Sequence, residues 1–132
     1  MRQVFFDAWQ QAHTAAVLDP TTRMVADVIG LHPEYHALLD DPERHRDRDY
    51  TPEDGQTNPF LHMAMHLGLR EQLSTDRPAG IATIHARLSE RLGDVHEAEH
   101  RMMECLGQAL WEAQSAGRMP DETAYLACLR RL

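Results

Sequence analysis

Apolar residues recur along most of this chain at the three- and four-residue spacing of a helix face, and no segment keeps the strict alternation of a half-buried strand. From Val4 to Leu18 the stripe is Val4, Phe5, Ala8, Trp9, Ala12, Ala15 and Ala16, stopped by Asp19-Pro20. Thr21 or Thr22 is placed to cap a second helix carrying Met24, Val25, Val28, Ile29 and Leu31. His32-Pro33 restarts the chain into a short helix through Ala37-Leu38-Leu39, with proline in its first turn. Residues 40–58 are polar and rich in turn formers, and predict a loop of a length that is often functional.

Asn58 and Pro59 then open a helix that is apolar nearly all round from Phe60 to Leu69, the signature of a buried one. Its only polar side chains before Gly68 are His62 and His66, so both are expected inside. The helix ends in Asp76-Arg77-Pro78-Ala79-Gly80. Another, Ile81 to Leu92, turns Ile81, Ile84, Leu88 and Leu92 inward and closes at Gly93. Asp94 caps the longest helix, Val95 to about Ala116. Its expected buried sector is Val95, Met102, Met103, Leu106, Ala109, Leu110 and Ala113. Asp121 caps a last helix, Glu122 to Leu132. The fold class predicted is all-α: a single-domain helical bundle over 1–132, of about five to six helices, with a long loop at 40–58.

Composition narrows the class of partner. A chain of 132 residues, 42% hydrophobic and 26% charged, is that of an ordinary globular domain. Its formal charge of −8 argues against nucleic acid or an anionic membrane as partner, because both need concentrated positive charge. The opening residues Met1 to Asp7 lack the apolar run of a signal peptide, and no stretch reaches the length of a membrane span, so the cytoplasm is the expected location. Cys105 and Cys128, both in predicted helices, are read as free, buried, apolar groups.

The candidate chemistry lies in nine histidines, six of which form pairs four residues apart: His32 with His36, His62 with His66, and His96 with His100. Chance placement gives about half such a pair. Residues four apart share a helix face, so each pair can turn two imidazoles toward one point, and imidazole is the commonest ligand of transition metals. His96, Glu99 and His100 fall in or beside the buried sector of the long helix. Buried imidazoles need partners or a metal, since an unsatisfied polar group costs about 1–3 kcal/mol. The metal set expected is therefore His62, His66, His96 and His100, with Glu99 and His36 as further ligands. The cofactor is a transition metal, iron ahead of zinc. His32 is placed to cap the Pro33 helix, while His13, His45 and His85 have no paired partner and read as surface residues.

The function this points to is a metal-binding bundle, of the non-haem iron redox or sensing kind. One alternative is a non-enzymatic interaction or structural protein whose histidines form a buried network, for which the apolar Phe60–Leu69 helix would also suit a homodimer interface. A third is a small zinc hydrolase. His96-Glu97-Ala98-Glu99-His100 fits the zinc-peptidase pattern with Glu97 as base, and the inverted pattern with Glu99 as base. Such an enzyme would need a strand to align a peptide, and the sequence offers none.

The chain also resembles a bacterial family catalogued as a domain of unknown function, number 1841. The resemblance rests on His32-Pro33-Glu34-Tyr35-His36, on Asp47 through His62 with its Tyr50-Thr51-Pro52-Glu53-Asp54-Gly55 turn, on His66 through Gln72, on His96 through Leu106, and on Ala124-Tyr125-Leu126. It covers nearly the whole chain and implies a small, cytoplasmic, one-domain protein. It brings no activity, so the metal argument stands on the residues alone.

Overall fold

The computed structural model describes residues 2–14, 18–45 and 58–132, and every regular element among them is helical. Six helices of nine residues or more carry the fold: α1 (Arg2–Thr14), α2 (Pro20–Gly30), α5 (Pro59–Thr75), α6 (Ile81–Leu92), α7 (Val95–Ala116) and α8 (Glu122–Arg130). A 3-10 turn, Pro33–Tyr35, and two four-residue helices, α3 (His36–Leu39) and α4 (Pro42–His45), lie between α2 and α5. Part of the expected 40–58 loop is thus helix α4; residues 46–57 of it, and Ala15 and Ala16 of the first stripe, lie outside the described residues. The chain forms two compact units, Met1–Leu67 and Gly68–Leu132, with the division inside α5.

In the first unit, Phe5, Phe6 and Ala8 of α1 meet Val25, Val28 and Ile29 of α2, Leu39 of α3 and Phe60 and Met63 of α5. The cap of α2 is Asp19, not a threonine: its carboxylate accepts from the Thr22 amide at 2.8 Å, leaving Pro20 in the first turn, where its missing N–H costs nothing. The same amide holds the Asp19 carboxyl below the ordinary carboxylate range. Asn58 caps α5 as its sequence requires, accepting from the amides of Phe60 at 3.0 Å and Leu61 at 3.3 Å.

In the second unit, caps set the helix ends. The Asp76 carboxylate accepts from the amides of Gly80 at 3.2 Å and Ala82 at 3.0 Å, which ties the turn to the start of α6. Asp94 caps α7 through the Glu97 amide at 3.1 Å, and Asp121 caps α8 through Ala124 at 3.1 Å. Gly93, at φ 67°, reverses the chain between α6 and α7 in a conformation that disfavours side chains. The buried face of α7 holds Ala98, Glu99, Met102, Met103, Cys105, Leu106 and Ala113. Val95, in the first turn, and Leu110, at the edge of the face, stay 50% and 43% exposed, against the expectation that both are core.

Cys105 and Cys128 are not free thiols. They form a disulfide between α7 and α8, with Cα atoms 5.8 Å apart, inside the range a bridge can span. Spacing along the chain could not reveal this, because the short Gly117–Asp121 connection folds α8 back along α7. The bridge closes a loop of 23 residues, so reducing it should lower stability by about 3 kcal/mol. Urea unfolding with and without reductant tests this; coincident midpoints would show the bridge carries no such weight.

Tyr125 of α8 donates its hydroxyl to Gln72 Oε1 at 2.7 Å, and burial pushes its phenol up from 10.0 to about 12. The folded chain therefore keeps this proton above pH 10, where the unfolded chain releases it. Stability contributed by Tyr125 is present below about pH 10 and is lost as pH rises from there toward 12. Tyr125→Phe should flatten the alkaline limb of a stability-versus-pH curve, and an unchanged limb would contradict the assignment.

Candidate metal centre

His32 follows α2 immediately before Pro33, where the proline ring bars it from helical backbone; it takes φ −127° and ψ 67°. Its side chain makes no cap bond to the 3-10 turn, contrary to the capping role expected. Instead the ring is buried at 1% exposure, with Nδ1 against the Val28 carbonyl at 2.8 Å. A carbonyl oxygen only accepts, so Nδ1 carries the proton and Nε2 holds the lone pair. Metal-binding histidines are oriented in this way, one ring nitrogen donating to the backbone and the other turned to the ion.

The rings around His32 are mainly histidine. His62 meets it edge-on at 4.8 Å between centroids and His66 at 5.3 Å, while Tyr35 stacks on it at 5.5 Å. His62 and His66 stand one turn apart on α5, and His66 is fully buried. Burial, then the Glu34 carboxylate, raises the Tyr35 phenol above its ordinary value. Ring nitrogens of His32 and His66 lie within 4.8 Å of each other. A tetrahedral ion with bonds of about 2.1 Å wants its ligand nitrogens about 3.4 Å apart, a difference that ring rotations can close. Further along the first unit, His36 gives its Nε2 proton to the Ile29 carbonyl at 3.0 Å and packs on Trp9 at 4.4 Å.

On α7, His96 and His100 face each other at 4.1 Å between ring centroids, both half-buried. Glu99 between them is 2% exposed, and both its oxygens are engaged: Oε1 by Arg70 Nε and Oε2 by His85 Nε2, each at 3.0 Å. Two partners on one buried carboxylate fix its position. Glu97, by contrast, turns outward and pairs with exposed Arg101 at 3.1 Å.

Sequence reasoning missed two of these residues. His85 was expected at the surface, yet it sits one turn after Ile81 and three residues before Leu88, on the buried face of α6. That periodicity was the available signal. His32 stands where the sequence places a cap, and only the packing of His62 and His66 against it shows otherwise. His13 is exposed, as expected, with Nδ1 donating to the Trp9 carbonyl.

No helix among the described residues is long and apolar enough to cross a membrane. No curated protein and no solved structure matches the chain. The family model that does match is the domain of unknown function DUF1841, over residues 1–131, so the chain belongs to the DUF1841 family.

Proposed function

We propose that this protein binds one divalent transition-metal ion through buried imidazoles, with His32 and His66 as two of its ligands. The observation that carries the reading is the buried His32–His66 pair, with ring nitrogens within 4.8 Å of each other and the His32 ring fixed by its Nδ1 donating to the Val28 carbonyl. His62 backs the His32 ring edge-on, at 4.8 Å between centroids.

Glu99 is left out of the ligand set, because Arg70 and His85 already take both its oxygens. A donor set of neutral imidazoles suits zinc ahead of iron, the reverse of the order that counting Glu99 as a ligand gives. Two imidazoles leave coordination positions for water or a small ligand, which reactive centres keep open and closed structural ones do not.

Cobalt(II) titration of the metal-free protein tests the reading. One equivalent should saturate visible d–d absorption of four-coordinate strength, and added zinc should displace it. A featureless titration, with no thermal stabilisation by zinc or iron, would contradict it.

A further inference from the structure

We propose that the Cys105–Cys128 bridge is a thiol–disulfide exchange site for a small zwitterionic thiol, one carrying both an ammonium and a carboxylate group. The site is separate from the histidines and does not depend on the metal reading. The bridge lines a cavity of about 250 Å³ between α7 and α8. That volume is smaller than the ~300 Å³ at which pockets for drug-sized ligands begin, and suits an amino-acid-sized guest.

The two sulfurs differ in access: Cys105 is 3% exposed, whereas Cys128 is half-buried, so attack comes at Cys128. Ala109, four residues after Cys105, and Ala124, four before Cys128, line the cavity beside the bridge with small side chains. Charge gives the ligand class. Arg118 and Arg131 line the cavity together with Glu112 and Asp121, two positive and two negative groups around an approachable disulfide. A carboxylate on the guest pairs with the guanidiniums and an ammonium with the acidic pair.

The chemistry balances without another reagent. The guest thiolate attacks Cys128 Sγ, the S–S bond breaks, and its electron pair leaves on Cys105 Sγ, which takes the proton the guest gave up. A second guest thiolate attacks the guest sulfur of the mixed disulfide and releases Cys128 as thiolate, which takes that guest's proton. Two thiols become one free disulfide, and the protein's bridge becomes two thiols. In reducing compartments, bridges are typically of this exchanging kind.

The test uses the full oxidised chain with a chelator present, and follows bridge opening by alkylation and mass. L-cysteine is the zwitterionic probe and 2-mercaptoethanol the neutral one. Arg118→Ala/Arg131→Ala should slow opening by L-cysteine about fivefold, the scale of two exposed ion pairs, and leave the rate with 2-mercaptoethanol unchanged. With L-cystine, Cys105→Ser should form one cysteinyl adduct at Cys128, and Cys128→Ser should react at least about tenfold more slowly, since its remaining thiol is buried. A bridge that resists excess L-cysteine in the folded protein would overturn the proposal. So would equal slowing of both thiols by the arginine substitutions, which need no open bridge in order to fold.

Discussion

Replacing His32 and His66 together by alanine should abolish metal binding, with affinity falling by more than about 100-fold and purified protein carrying under a tenth of an equivalent. The size follows from what the two residues do. Loss of an outer partner of a ligand histidine already costs 10- to 100-fold in affinity, and here two ligands go at once. His32 also has its tautomer set by the 2.8 Å bond to Val28, so no neighbouring ring can substitute without that preparation. His36 is the informative control. Its Nε2 proton is committed to the Ile29 carbonyl and its ring to Trp9, so His36→Ala should leave metal content unchanged while loosening the α1–α3 packing. Metal analysis of the three proteins, with circular dichroism to confirm helicity, decides it; full metal retention in the double variant would remove His32 and His66 from the site.

Phe60→Ala should destabilise the first unit by about 3–5 kcal/mol, the cost of emptying a large aromatic from a packed core. Phe60 is 2% exposed, its ring lies 6.3 Å from Phe5 and 5.6 Å from Phe6, and the Arg2 guanidinium sits 4.9 Å above its face. With Met63 it brings α5 into the core made by α1 and α2, two positions after the Asn58 cap. The neighbouring Leu61 is 54% exposed, so Leu61→Ala should cost less than about 0.5 kcal/mol and serves as the comparison. Urea midpoints separated by less than 1 kcal/mol would mean that the core is not organised around Phe60.

The helices were legible in the sequence because each is marked twice, by an apolar face and by a cap. Asn58-Pro59, Gly93-Asp94 and Asp121 fix their helix ends through a single residue's chemistry, and those boundaries hold. Where two caps competed, at Asp19 and the threonines after it, the proline decided, since Asp19 before Pro20 places the carboxylate on the Thr22 amide. The apolar all-round pattern of Phe60 to Leu69 overstated burial, because a one-dimensional run cannot tell which side meets a neighbour; Leu61 faces out.

The candidate site was half legible. Four-residue spacing correctly pairs His62 with His66 and His96 with His100 as same-face residues, because that is a property of one helix. The company of His32, the Arg70–Glu99–His85 cluster and the Cys105–Cys128 bridge are all properties of packing between helices, which spacing does not encode. For Glu99 the sequence identified a buried carboxylate but not its partners, and the partners set the role. A carboxylate free of Arg70 and His85 would be available to a metal; one held by both is a fixed structural partner of α5 and α6 residues.

Elemental analysis by mass spectrometry of tag-free protein, purified from medium replete in zinc and iron, tests metal binding most directly. About one equivalent of a single transition metal per chain is expected, zinc ahead of iron, removed by chelator and restored by the ion alone. Protein that comes out metal-free, stays folded, and rejects added zinc, iron and manganese would contradict it and leave the histidines as a buried structural network.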